Sequence, residues 1–245
     1  MTLQIETTDD CCWLHNALEA LPIIQYPFDK NNLPTNGIYF FFENGELWGH
    51  ESNKPRIVRV GSHNDGNFRN RINDHFLLDE SKMNFNHMKP KPSDRSVFRK
   101  HIGRALLNKE KDTYLNIWNK DFTYKEERES YGNLRDIEKE KKIESQITKI
   151  LRQEFSFRFI IINDQTERIG DKGLEKYLIG TLSHCESCKA SVQWLGNFTP
   201  ERQNKIKSTG LWNIHHINSE GINNKHKESI SNAIKSTVEW IKNKK

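Results

Sequence analysis

The chain has 245 residues, of which 34% are hydrophobic, 10% aromatic and 29% charged, with a net charge of +5. That length buries a core and fits a single domain over residues 1–245, and the aromatic content excludes a disordered chain. No run of 18 apolar residues occurs, which excludes a helical membrane span, and no basic stretch leads into an apolar one near Asp9 and Asp10, so the expected compartment is the cytoplasm rather than a secretory route.

In chain order, Trp13, Leu14, Ala17, Leu18 and Leu21 form one side of a helix over residues 10–21, stopped by Pro22. Residues 30–36 read as a polar turn. Two apolar runs, 38–42 and 57–60, read as strands, with a turn expected at Glu43-Asn44-Gly45-Glu46. Residues 66–78 predict a helix with Phe68, Ile72 and Phe76 inward; Arg71 and His75, four apart, share an adjacent face. Residues 79–94, rich in Asn, Lys and Pro, read as a loop. Residues 96–108 predict a helix with Phe98, Ile102, Ala105 and Leu106 as its stripe and Arg99, Lys100 and Arg104 off it.

Residues 111–136 give no clear pattern. Residues 137–154 predict a helix with Ile143, Ile147, Ile150 and Leu151 inward and alternating charges outward. A strand over 155–162 and helices over 171–184 and 225–243 complete the chain. The order implies an α+β fold: a small antiparallel or mixed sheet flanked by helices, with a C-terminal helix.

The charge is unevenly placed. Residues 81–110 hold eight Lys or Arg against Asp94 and Glu110, a net of +6, which suits a phosphate backbone. Arg99, Lys100 and Arg104 are the DNA-binding candidates; a solvated helix face is the alternative. Cys185-x-x-Cys188, with His184 beside it and Cys11-Cys12 far away, offers ligands at zinc spacing. A lone CxxC lacks a second matching half, and buried free thiols are the competing reading.

Gly37-Ile38-Tyr39 on the first strand, Arg59-Val60-Gly61 on the second, and Arg71 with His75 on the helix after them bring a tyrosine, an arginine and a histidine near one surface. Further on stand Leu174-Glu175-Lys176-Tyr177-Leu178-Ile179 and Gly210-Leu211-Trp212-Asn213. In this order the segments resemble the GIY-YIG nuclease superfamily. Arg59-Val60-Gly61 stands in place of its YIG half. Pro55 to His63, Ser96 to Gly103, and Trp194-Leu195-Gly196 are similar to a bacterial stand-alone branch. Against that family's shorter core (motifs within 37–78 and 155–213), residues 79–150 look like an insertion carrying its own helices.

The resemblance implies a DNA endonuclease that hydrolyses phosphodiester bonds. Tyr39 would be the general base, Arg71 the grip on the scissile phosphate, and His75 a phosphate-positioning or proton-moving group. Glu175 would hold one divalent ion, Mg2+ or Mn2+. Arg59, a cation near Tyr39, is expected to favour its phenolate. His63 is a second proton acceptor, and Asn213 a phosphate or product contact. A single site cuts one strand, so double-strand cleavage needs a homodimer or two successive events.

Taken singly, each residue has an ordinary reading. Tyr39 is a strand aromatic, Arg71 and His75 a wet helix face, Glu175 a surface carboxylate, Asn213 a turn cap, and Trp194 and Trp212 core. The joint pattern favours catalysis in restriction or phage defence. A repair or mobile-element nuclease, and a nucleic-acid-binding module without catalysis, are the alternatives.

Overall fold

The computed structural model describes residues 2–51, 53–201 and 204–244, with side chains from Asp9 onward. The elements in order are α1 (Thr2–Leu18), β1 (Ile24–Gln25), β2 (Ile38–Leu47), β3 (Pro55–Gly61), α2 (Phe68–Phe76), α3 (Pro92–Arg95), α4 (Val97–Lys109), α5 (Leu115–Trp118), α6 (Lys125–Tyr131), α7 (Ile137–Glu154), β4 (Phe155–Ile160), α8 (Gln165–Arg168), α9 (Leu174–Ser183), α10 (Asn204–Thr209) and α11 (Asn224–Asn243). The sheet runs β1-β4-β2-β3, and every neighbouring pair is antiparallel. The fold is α+β, as the pattern of elements implies.

Side chains alternate across the sheet, so the register sorts the strand residues into two cores. Ile38, Phe40, Phe42, Val60 and Ile160 face α1, α9 and α11. Tyr39, Phe41, Phe157 and Phe159 face α2, α4 and α7. The three inward residues of α2, Phe68, Ile72 and Phe76, are fully buried against this second face, each worth about 1.5–3 kcal/mol in transfer. Tyr39 pairs with Gly61 and Phe41 with Arg59, so the tyrosine and the arginine share one face. Residues 79–150 are therefore structural as well: α4 and α7 close the aromatic face.

Three expectations change. The turn expected at residues 43–46 lies inside β2, and the hairpin closes later, where the Trp48 N–H bonds the Lys54 carbonyl at 2.7 Å. Gly45, at φ 81°, sits in the stretch where the β2–β3 register slips. The polar residues there have buried partners. Glu43 accepts from the indole N–H groups of Trp194 (2.7 Å) and Trp212 (3.0 Å). Glu46 takes Arg56 through both Nε and Nη2. Residues 79–94 are not all loop, since a 3-10 turn at Glu80–Met83 and α3 fall within them. Residues 111–136 hold α5 and α6.

The third change concerns charge. Two acidic residues of α7 point inward: Glu144 pairs with Arg99 at 2.6 Å and Glu140 with Arg135 at 2.6 Å, all fully buried or nearly so. Asp94 takes both Lys91 and Lys100 at 3.0 Å. Arg99 and Lys100 are thus internal ion-pair residues and not a DNA-facing stripe. Arg104 is half-buried, donating to Asn119 at 2.7 Å. Buried charges of this kind persist only when paired, because desolvation otherwise exceeds any gain. Glu144→Ala leaves the Arg99 guanidinium uncompensated and is expected to cost about 3 kcal/mol. A lower urea midpoint with an unchanged denaturant slope is the expected record; an unmoved midpoint would show that the pair contributes nothing.

The edge strand β3 is covered rather than open. Both backbone groups of Val60 bond the Asn213 amide, with the Val60 N–H reaching Oδ1 at 3.1 Å and Nδ2 donating to the Val60 carbonyl at 2.9 Å. The Trp212 N–H bonds the Val58 carbonyl at 2.7 Å. Asn213 therefore works as a one-residue extension of the sheet, which blunts an exposed edge. Both ends of its amide are engaged with the Val60 backbone, which gives the residue expected as a phosphate contact a place in the sheet edge.

Candidate active site

The glycines of the two strand motifs are required by close approach. A Cβ on Gly37 would lie 2.4 Å from the Ile160 carbonyl oxygen, and one on Gly61 would lie 2.2 Å from the Tyr39 hydroxyl. Gly61 thus makes room for the tyrosine that its strand faces, and the Tyr39 ring is 1% exposed.

The Tyr39 hydroxyl is 3.0 Å from His75 Nε2, and His75 Nδ1 is 2.8 Å from Ser96 Oγ. Ser96 is the N-cap of α4 and accepts the Arg99 N–H at 3.3 Å. Its hydroxyl is fully buried, so its hydrogen needs an acceptor, and His75 Nδ1 is at hand. The Tyr39 hydroxyl is equally buried, so the neutral ring bridges two hydroxyls, donating to one and accepting from the other. Burial holds His75 well below its ordinary value, with Arg71, Arg59 and Arg99 adding to it, so the ring is neutral. It offers one N–H and one acceptor nitrogen to the Tyr39 and Ser96 hydroxyls.

Arg59 donates to the Trp212 carbonyl at 2.5 Å, and its guanidinium lies 4.9 Å from the Phe98 ring centre. Its Nε is buried and has no acceptor among the described residues. Arg71 donates to the Arg95 carbonyl at 3.0 Å and is half-buried; among the described residues no carboxylate pairs with it. Glu175, in the first turn of α9, accepts the Ser62 N–H at 3.1 Å and likewise has no cation within ion-pair distance among the described residues. Burial raises its carboxyl, against the pull of Arg59, the Ser62 N–H and Arg71.

Tyr39 departs from expectation. Arg59 and Arg71 do favour its phenolate, but burial outweighs them and Glu175 opposes them, so its pKa is raised rather than lowered. His63 also departs. Its Nδ1 lies 2.6 Å from the Asn64 carbonyl and its Nε2 accepts the Gly37 N–H at 3.3 Å. With both nitrogens engaged in shaping the loop after β3, His63 is a structural residue and not a free proton acceptor.

Tyr39, Arg59, His75 and Glu175 all feel the Arg71 charge, so the five groups share one neighbourhood. Sequence reasoning missed two contributors. Ser96 carried a signal, a serine just ahead of an apolar helical stripe; Ser62, acting through its backbone, carried none. A family model described as the GIY-YIG domain matches residues 21–240.

The chain belongs to the GIY-YIG family. No curated protein and no solved structure matches it. Members of this family are nucleases that generally depend on a divalent metal. In this GIY-YIG chain the match covers both strand motifs and the helices that carry Arg71, His75 and Glu175, so it runs through the whole of the site described above. Among the described residues, no helix is long and apolar enough to cross a membrane.

Proposed function

We propose that this GIY-YIG chain is a divalent-metal-dependent endonuclease hydrolysing phosphodiester bonds in DNA. The observation that carries this reading is a guanidinium and a carboxylate, Arg71 and Glu175, each without an ion-pair partner among the described residues and both acting electrostatically on the buried Tyr39 hydroxyl. An unpaired, desolvated carboxylate suits a hard cation that prefers oxygen ligands, so Glu175 would hold Mg2+ or Mn2+. That ion, when bound, supplies Lewis-acid stabilisation of the leaving 3′ oxygen.

The protein groups do the rest. Tyr39, as phenolate, takes the proton of the attacking water. The His75 Nε2–H and the Arg59 charge steady the phenolate oxygen, which offsets part of its burial. Arg71 pairs with a non-bridging phosphate oxygen and offsets charge that grows in the transition state. Supercoiled plasmid incubated with Mg2+ or with EDTA tests the proposal. Nicking with Mg2+ and none with EDTA is expected, and no cleavage with any divalent ion leaves a non-catalytic binder. Restriction or phage defence is tested apart from this, by phage plating on cells carrying the wild type or Glu175→Ala.

Arg71→Ala is expected to lower the rate on bound DNA by at least about 100-fold, roughly 3 kcal/mol. Binding should fall less. Collapse of affinity with an unchanged single-turnover rate would instead make Arg71 a docking residue.

The DNA-facing cations are revised. Arg95 is exposed, lies next to Ser96, and its carbonyl holds Arg71. Arg95→Glu is expected to weaken DNA binding and to reduce the slope of log affinity against log salt by about one. Lys100→Glu should instead destabilise the fold, since it would bring a second carboxylate to Asp94. An unchanged salt slope in Arg95→Glu would place that side chain off the DNA path.

A further inference from the structure

On the far side of the sheet, three segments distant in sequence converge on one spot. α1 brings Cys11, the turn between β2 and β3 brings His50, and the loop after α9 brings Cys185 and Cys188. Their ligand atoms all lie within 4.8 Å of one another. Cys11 Sγ is 3.8 Å from Cys188 Sγ, and His50 Nε2 is 3.3 Å from Cys185 Sγ. A tetrahedron with zinc–sulfur bonds of ~2.3 Å has edges of ~3.8 Å between sulfurs, and slightly shorter ones to nitrogen. From this convergence we infer that Cys11, His50, Cys185 and Cys188 form a structural zinc site.

The surroundings fit this donor set. The three cysteines are buried and unbridged. His15 Nε2 accepts the Ile57 N–H at 3.0 Å, so its hydrogen is on Nδ1, which lies 2.9 Å from the Cys11 carbonyl and 3.5 Å from the Cys11 sulfur. A second histidine thus braces the ligand, as outer partners of metal sites do. A Cβ on Gly49 would lie 1.6 Å from the Ser187 carbonyl oxygen, so only glycine lets the turn carrying His50 seat against the Cys185–Cys188 loop.

Two candidates from the sequence fall outside the cluster. Cys12 meets the Asn16 amide at 3.7 Å instead, and His184 is exposed.

Four protein donors leave no open position, which marks a structural rather than a catalytic centre. Thiolates select zinc, whereas a lone carboxylate such as Glu175 suits Mg2+, so the two sites take different ions. Cys185 follows α9 directly, and Glu175 is in the first turn of the same helix. The zinc site would tie the far end of that helix to α1 and to the β2–β3 turn. This inference stands whether or not the chain cuts DNA.

The test is native mass spectrometry and metal analysis of the purified full chain. One zinc per chain is expected, released by a thiol-specific mercurial. Co2+ substitution should give the intense visible bands of a tetrahedral thiolate site. Cys188→Ser and His50→Ala should lose the ion, and Cys12→Ser should retain it. Because the wild-type stoichiometry decides the matter, a variant that fails to fold does not blunt the test. A folded wild-type chain without zinc, with four free thiols or a Cys11–Cys188 disulfide, overturns the site. Stoichiometric iron, or full zinc in Cys188→Ser, does so equally.

Discussion

Glu175→Ala is expected to lower Mg2+-dependent cleavage by about 10⁴-fold, roughly 5 kcal/mol of transition-state stabilisation, while the fold survives. The fold should survive because Glu175 makes a single hydrogen bond, to the Ser62 N–H, and no ion pair among the described residues. Removing it relieves a half-buried carboxylate whose ionisation is opposed by desolvation. Glu175→Gln is the sharper variant. It keeps the Ser62 contact and the volume but removes the charge, so a loss matching that of the alanine variant would assign the effect to the charge. Circular dichroism and the thermal midpoint should match the wild type. Near-normal cleavage by either variant would take Glu175 out of the metal site.

Tyr39→Phe is expected to cost about 10³-fold, roughly 4 kcal/mol, since it removes the proton acceptor and keeps the ring's packing against Phe41 and Phe68. The pH dependence follows from the raised Tyr39 pKa. The active form is the phenolate, so a raised pKa moves the ascending limb to higher pH. The rate should climb about tenfold per pH unit through neutrality, without levelling off below about pH 10. Arg59→Met removes a charge that favours the phenolate and should move the limb higher still. A plateau near neutrality, or an active Tyr39→Phe, would assign the base elsewhere.

Much of the framework was legible in the sequence. The helix expected over 137–154 is α7, Ile137–Glu154, because its inward isoleucines repeat at helical spacing. The strand motifs, the α2 stripe and the family's order of segments were equally plain. The turn at 43–46 was misplaced because Glu43 and Glu46 look like turn residues until Trp194, Trp212 and Arg56 are set against them. Those partners are non-local, and no local pattern announces them. Arg99 and Lys100 read as DNA-binding candidates for the same reason: their carboxylates, Glu144 and Asp94, are identified as partners only by packing.

The sequence by itself determined which chemistry is present: a tyrosine after a required glycine, an arginine and a histidine four apart, and a glutamate opening a later helix. Side-chain spacing along one element is set by helix and strand geometry, so it can be read from the chain. Only the tertiary structure decided how those groups behave. It raised Tyr39 instead of lowering it and set His75 between the Tyr39 and Ser96 hydroxyls. It closed His63 and Asn213 into the scaffold and gathered Cys11, His50, Cys185 and Cys188 from three segments. Desolvation, hydrogen-bond direction and ligand convergence all depend on neighbours distant in sequence, and folding alone brings those neighbours together.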